Sequence, residues 1–327
     1  MELQFKPFEI EDLNKIAPFY ALRPNKTCDN LFWDCLIWKD SCRLRYVICE
    51  GKALLFLMEQ DGEPFSVMPM CVEEDLPYYF QELTNYFNHT LKKPLRIFLA
   101  DAEAVHYLNL DRSLFEVEEK IDLRDYLYEG NKLRELSGKK LRKKKAHIHA
   151  FLKEYEKRYE YRQLFCSDRG EIDVFLKSWF QRKLEVPECA DQIEEEMSRI
   201  YAVLNNCPDQ WIRMGGIFVD GFLKAVAMGT YNPYEDMGII HIEKADPAIR
   251  GLYQFINQQF LIHGFTENPI LVNREDDMGL EGLRKAKLSY DPLSYAPKYQ
   301  VIQRGWGKDT FLEDENPVLE PFNTVKN

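Results

Sequence analysis

The feature that most constrains the fold of this chain is an order of elements that occurs twice: a strand hairpin, a helix and a further strand. In the first half, Arg45–Cys49 and Ala53–Met58 flank Glu50-Gly51-Lys52, and Phe65–Met70 follows Asp61-Gly62. Apolar and β-branched runs broken by glycine turns are the signature of an antiparallel meander. Pro77–Leu91 then has helical spacing, and Leu95–Ala100 reads as a strand. In the second half, Arg213–Val219 and Phe222–Tyr231 flank Asp220-Gly221, and Gly238–Ala245 is the next strand. Leu252–His263 is the helix and Pro269–Val272 the strand after it. The order repeats although the identities do not. It predicts an α/β (α+β) chain of two tandem halves with mixed, largely antiparallel sheets, in preference to a doubly wound parallel sheet. A length of 327 residues suits two such units. The expected division is residues 1–130, then 131–309 with a basic connecting helix at its start, then an acidic tail at 310–327. The connecting segment Lys132–Arg162 has no proline and one glycine, Gly138, and so predicts mainly helix.

The densest chemical information lies in Asn273–Tyr290. The preceding Pro-Ile-Leu-Val is of strand type, Asp276 and Asp277 suit a helix N-cap, and Leu280, Leu283, Ala286 and Tyr290 recur at helical spacing as one buried stripe. Arg284 and Lys287 lie three apart on the flank of that stripe, where they either hold a ligand or sit as rim cations. Glu281 and Lys285 form an ordinary outward pair.

The run Gly282-Leu283-Arg284-Lys285-Ala286-Lys287-Leu288-Ser289-Tyr290-Asp291-Pro292, followed by Pro297-Lys298-Tyr299, resembles the end of the soluble C-terminal domain of phosphatidylglycerol lysyltransferases and their stand-alone bacterial relatives. The resemblance implies two tandem acetyltransferase-like (GNAT) folds. It also implies transfer of an amino acid from aminoacyl-tRNA to a phospholipid head group, with no cofactor beyond that donor. Lys298 and Tyr299 belong to the resembling pattern and are expected to finish the same cleft.

Composition narrows the setting. A formal charge of -11 argues against a protein that coats nucleic acid over its whole surface, while leaving room for a local basic patch. No run approaches the ~18 apolar residues of a membrane span. The N-terminus lacks the basic start and apolar core of a signal peptide, so the expected compartment is the cytoplasm. Eight cysteines without a CxxC pair predict reduced, mostly buried thiols and no metal site.

Candidate chemistry follows the second half. In Asp246-Pro247-Ala248-Ile249-Arg250-Gly251-Leu252-Tyr253, Arg250 and Gly251 could meet an anion at a helix start, or could be a plain helix-start glycine beside an exposed arginine. The turn departs from the acetyltransferase form, which makes a coenzyme A-dependent N-acyltransferase the alternative activity. Glu243, near the end of its strand, is the general-base candidate, or else a surface partner of Lys244 or Arg250. Asn273 could hold a carbonyl or cap a turn, and Tyr290 could donate a proton or pack in the core. Lys139, Lys140, Arg142, Lys143, Lys144 and Lys145 form a basic cluster fit to meet tRNA or an anionic membrane, or else a solvated face. A non-catalytic module for a phosphorylated ligand or RNA is the reading from another class.

Overall fold

The computed structural model describes residues 2–184, 190–207 and 210–305, so the expected acidic tail lies outside the described residues. The first meander is present as Lys6–Pro7, Arg45–Cys49, Ala53–Gln60 and Glu63–Phe65, paired in that order and all antiparallel. A single parallel bridge, Ser66 to Ile97, carries it on to a second sheet of Arg96–Asp101, Lys298–Gln303 and Phe115–Glu119. Of the expected strand Phe65–Met70, Phe65 ends the strand Glu63–Phe65, and the rest is held by isolated bridges at Ser66 and Met70. Pro69 within it has no N–H to give a ladder.

The second half is a seven-stranded sheet. Its order is Ser294–Ala296, Asp125–Glu129, Leu271–Asn273, Met237–Ala245, Phe222–Asn232, Arg213–Val219, Tyr159–Leu164. All neighbours are antiparallel except Met237–Ala245 beside Leu271–Asn273, a parallel pair joined through the helix Leu252–His263. Only Met237, Gly238 and Ile239 pair across that parallel contact, while the longer strand runs on to Ala245. Its last six residues therefore part from their neighbour, and this splay opens the cleft.

The two halves exchange strands. Asp125–Glu129 pairs between two strands of the C-terminal sheet, and Lys298–Gln303 pairs between two strands of the N-terminal one. They also share a core, in which Trp33 and Leu36 cluster with Ile200, Met228 and Ile242.

One expectation holds in broken form and another needs correction. Lys132–Arg162 is mainly helical but not one helix: Gly130–Glu135 and Arg142–Glu154 are helices, Leu136 (φ 49) and Gly138 (φ 88) turn left-handed between them, and Tyr159–Leu164 is an edge strand. Alternating Tyr159 and Tyr161 favour a strand. The cysteines are not all reduced: Cys166 and Cys207 are joined by a disulfide, while Cys28, Cys35, Cys42, Cys49 and Cys71 are free. The partners lie 41 residues apart, at the start of the helix Arg169–Leu184 and just past the end of Ala190–Asn206. Packing of that helix pair brings them together, which no spacing rule could show.

Candidate functional site

The splay opens a cleft of about 820 Å³ between the halves. One wall is the freed strand end, Ile240 to Lys244, with Arg274–Asp276 and the helix Glu281–Leu288. The facing wall is the helix Trp33–Ser41, which presents Trp33, Asp34, Ile37 and Trp38. The Trp33 ring stacks on His241 with centroids 3.8 Å apart, so an aromatic contact joins the two walls. His241 is fixed from both ring nitrogens, by Glu275 at 2.6 Å and Thr230 at 2.8 Å.

At one end, Glu243 lies on the cleft as expected. Its carboxylate accepts from Asn257 Nδ2 at 2.7 Å and faces the Arg274 guanidinium at 3.4 and 3.5 Å, so its cation partner is neither Lys244 nor Arg250. Lys244 pairs with Glu196 instead. Arg274 also lies 4.5 Å from the Tyr290 ring centroid, and its Nη1 is buried with no hydrogen-bond partner. Tyr290 is 5% exposed and lines the cleft. Burial pushes its phenol well up, against the pull of Arg274.

The helix Glu281–Leu288 is turned differently from the expected pattern. Leu280, Leu283 and Ala286 line the cleft without being buried, whereas the flank residue Lys287 reaches the lining and is buried. Helical periodicity marks one apolar face, but it does not say whether core or cleft lies opposite. Lys287 donates to the carbonyls of Arg274 and Glu275, and burial followed by the nearby Arg274 brings its amine down to about 8. It shapes the loop that carries Arg274. Asp276 and Asp277 do not cap this helix directly, since Leu280 is its N-cap residue.

Arg284 does not reach the cleft lining. Its guanidinium donates to Asp277 at 2.8 and 2.9 Å and to Asp122 at 2.6 Å. Those bonds, from Arg284 first and then from Tyr126 after the opposing effect of burial, draw the Asp277 carboxyl down to about 2. A carboxyl depressed in the folded state stabilises the fold above its unfolded value near 4 and loses that contribution as pH falls toward 2. From a depression of nearly two units, acid unfolding between about pH 4 and pH 2 is expected to cost about 2 kcal/mol at this residue. Asp277→Asn should flatten that part of the stability profile, as followed by urea titration at each pH.

Asn273 is also occupied within the protein. Its Nδ2 donates to the Lys26 carbonyl and to Asp125, both at 2.9 Å, and its Oδ1 accepts from Glu275 N–H. It fixes the strand end and lies outside the lining. Arg250 and Gly251 are outside the lining too. Gly251 sits at φ 86, where an added Cβ would come 2.1 Å from the His147 carbonyl oxygen, so this glycine serves close helix packing. Lys298 does line the cleft, in an ion pair with Asp29 at 2.6 Å and Asp125 at 2.8 Å, and it donates to Cys28 Sγ at 3.2 Å. Burial opposes its charge, but the two carboxylates outweigh it and hold the ammonium well above its ordinary value. Cys28, Asp29 and Asp125 have a metal-like spacing, and the lysine ammonium supplies the cation among them. Tyr299 pairs within the N-terminal sheet and is not in the lining.

The basic cluster is divided. Lys139 and Lys140 precede the helix, and Lys140 pairs with Asp291 at 2.6 Å. Arg142, Lys143 and Lys145 are exposed on its first turn. Lys144 faces the cleft, with Nζ 4.1 Å from the Tyr290 ring centroid. The residues that sequence reasoning missed are Arg274, His241, Trp33 and Asp34, all in the lining.

This geometry can be set beside known proteins. The sequence pattern of a family described as phosphatidylglycerol lysyltransferase, C-terminal, matches residues 20–302. The chain belongs to that family. A conserved protein of unknown function from Bacteroides thetaiotaomicron VPI-5482 superposes with a TM-score of 0.80 at 26% identity, over 93% of this chain and 100% of the other. L-PGS from Bacillus licheniformis shares the fold at TM-score 0.67 and 12% identity, over 93% and 95% of the two chains. So does the C-terminal domain of a putative lysylphosphatidylglycerol synthetase from Agrobacterium fabrum, at 0.65 and 13% over 91% and 93%. An uncharacterized protein of Mycoplasmoides gallisepticum is 30% identical over 187 residues, 55% of this chain, and the match spans about half (54%) of that relative's length. The tandem GNAT-like fold stands, and the lysyltransferase family with that fold supports an acyltransferase-type function. No helix among the described residues is long and apolar enough to cross a membrane.

Proposed function

We propose that this member of the lysyltransferase family is an aminoacyltransferase that moves an aminoacyl group from aminoacyl-tRNA to a lipid head group or an amine. The observation that carries the reading is the cleft at the strand splay, where Arg274, Lys144 and Tyr290 converge with Glu243 beneath them. An aminoacyl ester is already activated, so most of the catalysis is positioning of donor and acceptor. Arg274, held by Glu243 and with one nitrogen still unpartnered, suits a carbonyl or phosphate oxygen. The exposed Arg142, Lys143 and Lys145 suit the phosphates of tRNA or an anionic surface beside the cleft. The coenzyme A alternative has less support, since Arg250-Gly251 lies away from the cleft lining and Gly251 is packed against His147.

A thermal-shift comparison tests the choice, because a ligand that binds the native state alone raises the melting temperature. Aminoacyl-tRNA or vesicles of anionic lipid should stabilise the protein, and coenzyme A should not. Lys143→Gln with Lys145→Gln should flatten the salt dependence of binding by about 0.7–0.9 in log K against log salt for each lost contact. With tRNA and vesicles measured separately, the partner whose slope changes is the one this helix meets. Micromolar binding of acetyl-coenzyme A with turnover on an amine would replace the reading with the alternative.

A further inference from the structure

Leu141, Lys144, Ile148 and Phe151 recur along the helix Arg142–Glu154 and its first cap at the spacing of an inward face, and Leu141, Ile148 and Phe151 are buried. A lysine thus holds a position that the periodicity assigns to an apolar side chain. Its neighbours Lys143 and Lys145 point to solvent, while Lys144 turns its amine over the Tyr290 ring and into the cleft. A half-buried lysine on a core stripe costs stability unless its charge is well compensated. The groups that face this amine are Arg274, Glu243, Tyr290, Lys143 and, one turn along, His147. Only one of them is a carboxylate, and Glu243 is already shared between Asn257 and Arg274.

We propose that Lys144 is the group that accepts the proton of the attacking nucleophile in this cleft. The inference rests on the transfer reading above and changes the part of Glu243, which then orients Arg274 and takes no proton. In the step, the acceptor O–H or N–H gives its proton to the neutral Nζ of Lys144 as the new acyl C–O or C–N bond forms. The ester C–O bond to the tRNA ribose breaks, and the Lys144 ammonium returns the proton to the leaving ribose oxygen. Burial first, and then Arg274, bring the Lys144 amine down to about 8, so an unprotonated fraction is present near neutral pH. Lys287, with an amine at a similar value, is unsuited to the same task because its Nζ is aimed at two backbone carbonyls, to which it donates.

Two measurements test this. Trace labelling with acetic anhydride from about pH 6 to about pH 11, read by peptide mass spectrometry, should give Lys144 a midpoint near 8, against ~10.4 for an added free lysine peptide. Transfer from aminoacyl-tRNA to anionic vesicles or to a soluble amine should rise with pH to a plateau above about 8. Lys144→Arg should lower that plateau about 100-fold and remove the inflection, and ethylamine should partly restore Lys144→Ala. Lys144→Arg retaining the wild-type inflection overturns the proposal, as does labelling of Lys144 in step with the free lysine peptide. Should the wild-type protein transfer to neither acceptor, the aminoacyltransferase reading fails, while the labelling midpoint still decides whether Lys144 is an amine fit for this role.

Discussion

Replacing Lys298 with methionine is expected to cost about 3–5 kcal/mol of folding stability, the usual result of removing one partner from a buried ion pair. Lys298 is 1% exposed, Asp125 is completely buried, and the Asp29 side chain is 12% exposed. The ammonium holds three segments together: the loop at Cys28 and Asp29, the exchanged strand Asp125–Glu129 and the exchanged strand Lys298–Gln303. Without it, two carboxylates face each other in a place that water reaches poorly. Asp125→Asn in the Lys298→Met background should recover part of the loss, because it removes one uncompensated charge. Urea unfolding of the single and double variants measures both effects. A loss under about 1 kcal/mol for Lys298→Met would mean that the cluster is better hydrated than its geometry indicates.

Arg274→Met is expected to reduce transfer at least ~100-fold, the scale seen when one fixed donor is removed from a site of developing negative charge. Its side chain is 14% exposed and fixed by Glu243. Its loss has a second consequence, since Arg274 is, after burial, the main influence holding the Lys144 amine low. The midpoint of the pH–rate profile should therefore move upward in this variant. Glu243→Gln keeps the positive charge and the Asn257 contact, and it should lower the rate less than Arg274→Met does. Equal rates for Arg274→Met and the wild type would remove Arg274 from the chemistry.

Local pattern carried much of the fold. Arg45–Cys49, Arg213–Val219 and Leu252–His263 occupy the same residues in sequence and structure, because each combines a clear period with a glycine or a turn at its end. Tertiary exchange was not legible. Asp125–Glu129 lies in the C-terminal sheet, and its partners are more than a hundred residues away along the chain. The site shows the same division. Glu243 was found from its place at a strand end, yet its partner Arg274 lies 31 residues on, and Trp33 and His241 meet from opposite halves. Arg284 looked free for a ligand because one partner, Asp122, is 162 residues distant, and the other, Asp277, was read as a helix cap. Lys144 could have been found: the Leu141, Ile148 and Phe151 stripe was present in the sequence, and the density of charge around it hid the one lysine that faces inward.

The most direct measurement follows a labelled amino acid from its tRNA into acceptor, with purified protein, aminoacyl-tRNA and vesicles of anionic lipid, beside the Arg274→Met and Lys144→Arg variants. Label should enter the lipid or an added amine with the wild-type protein, and both cleft variants should reduce that entry about 100-fold. Label that stays on tRNA with every acceptor, or that moves equally well with both variants, would contradict the assignment of aminoacyl transfer to this cleft.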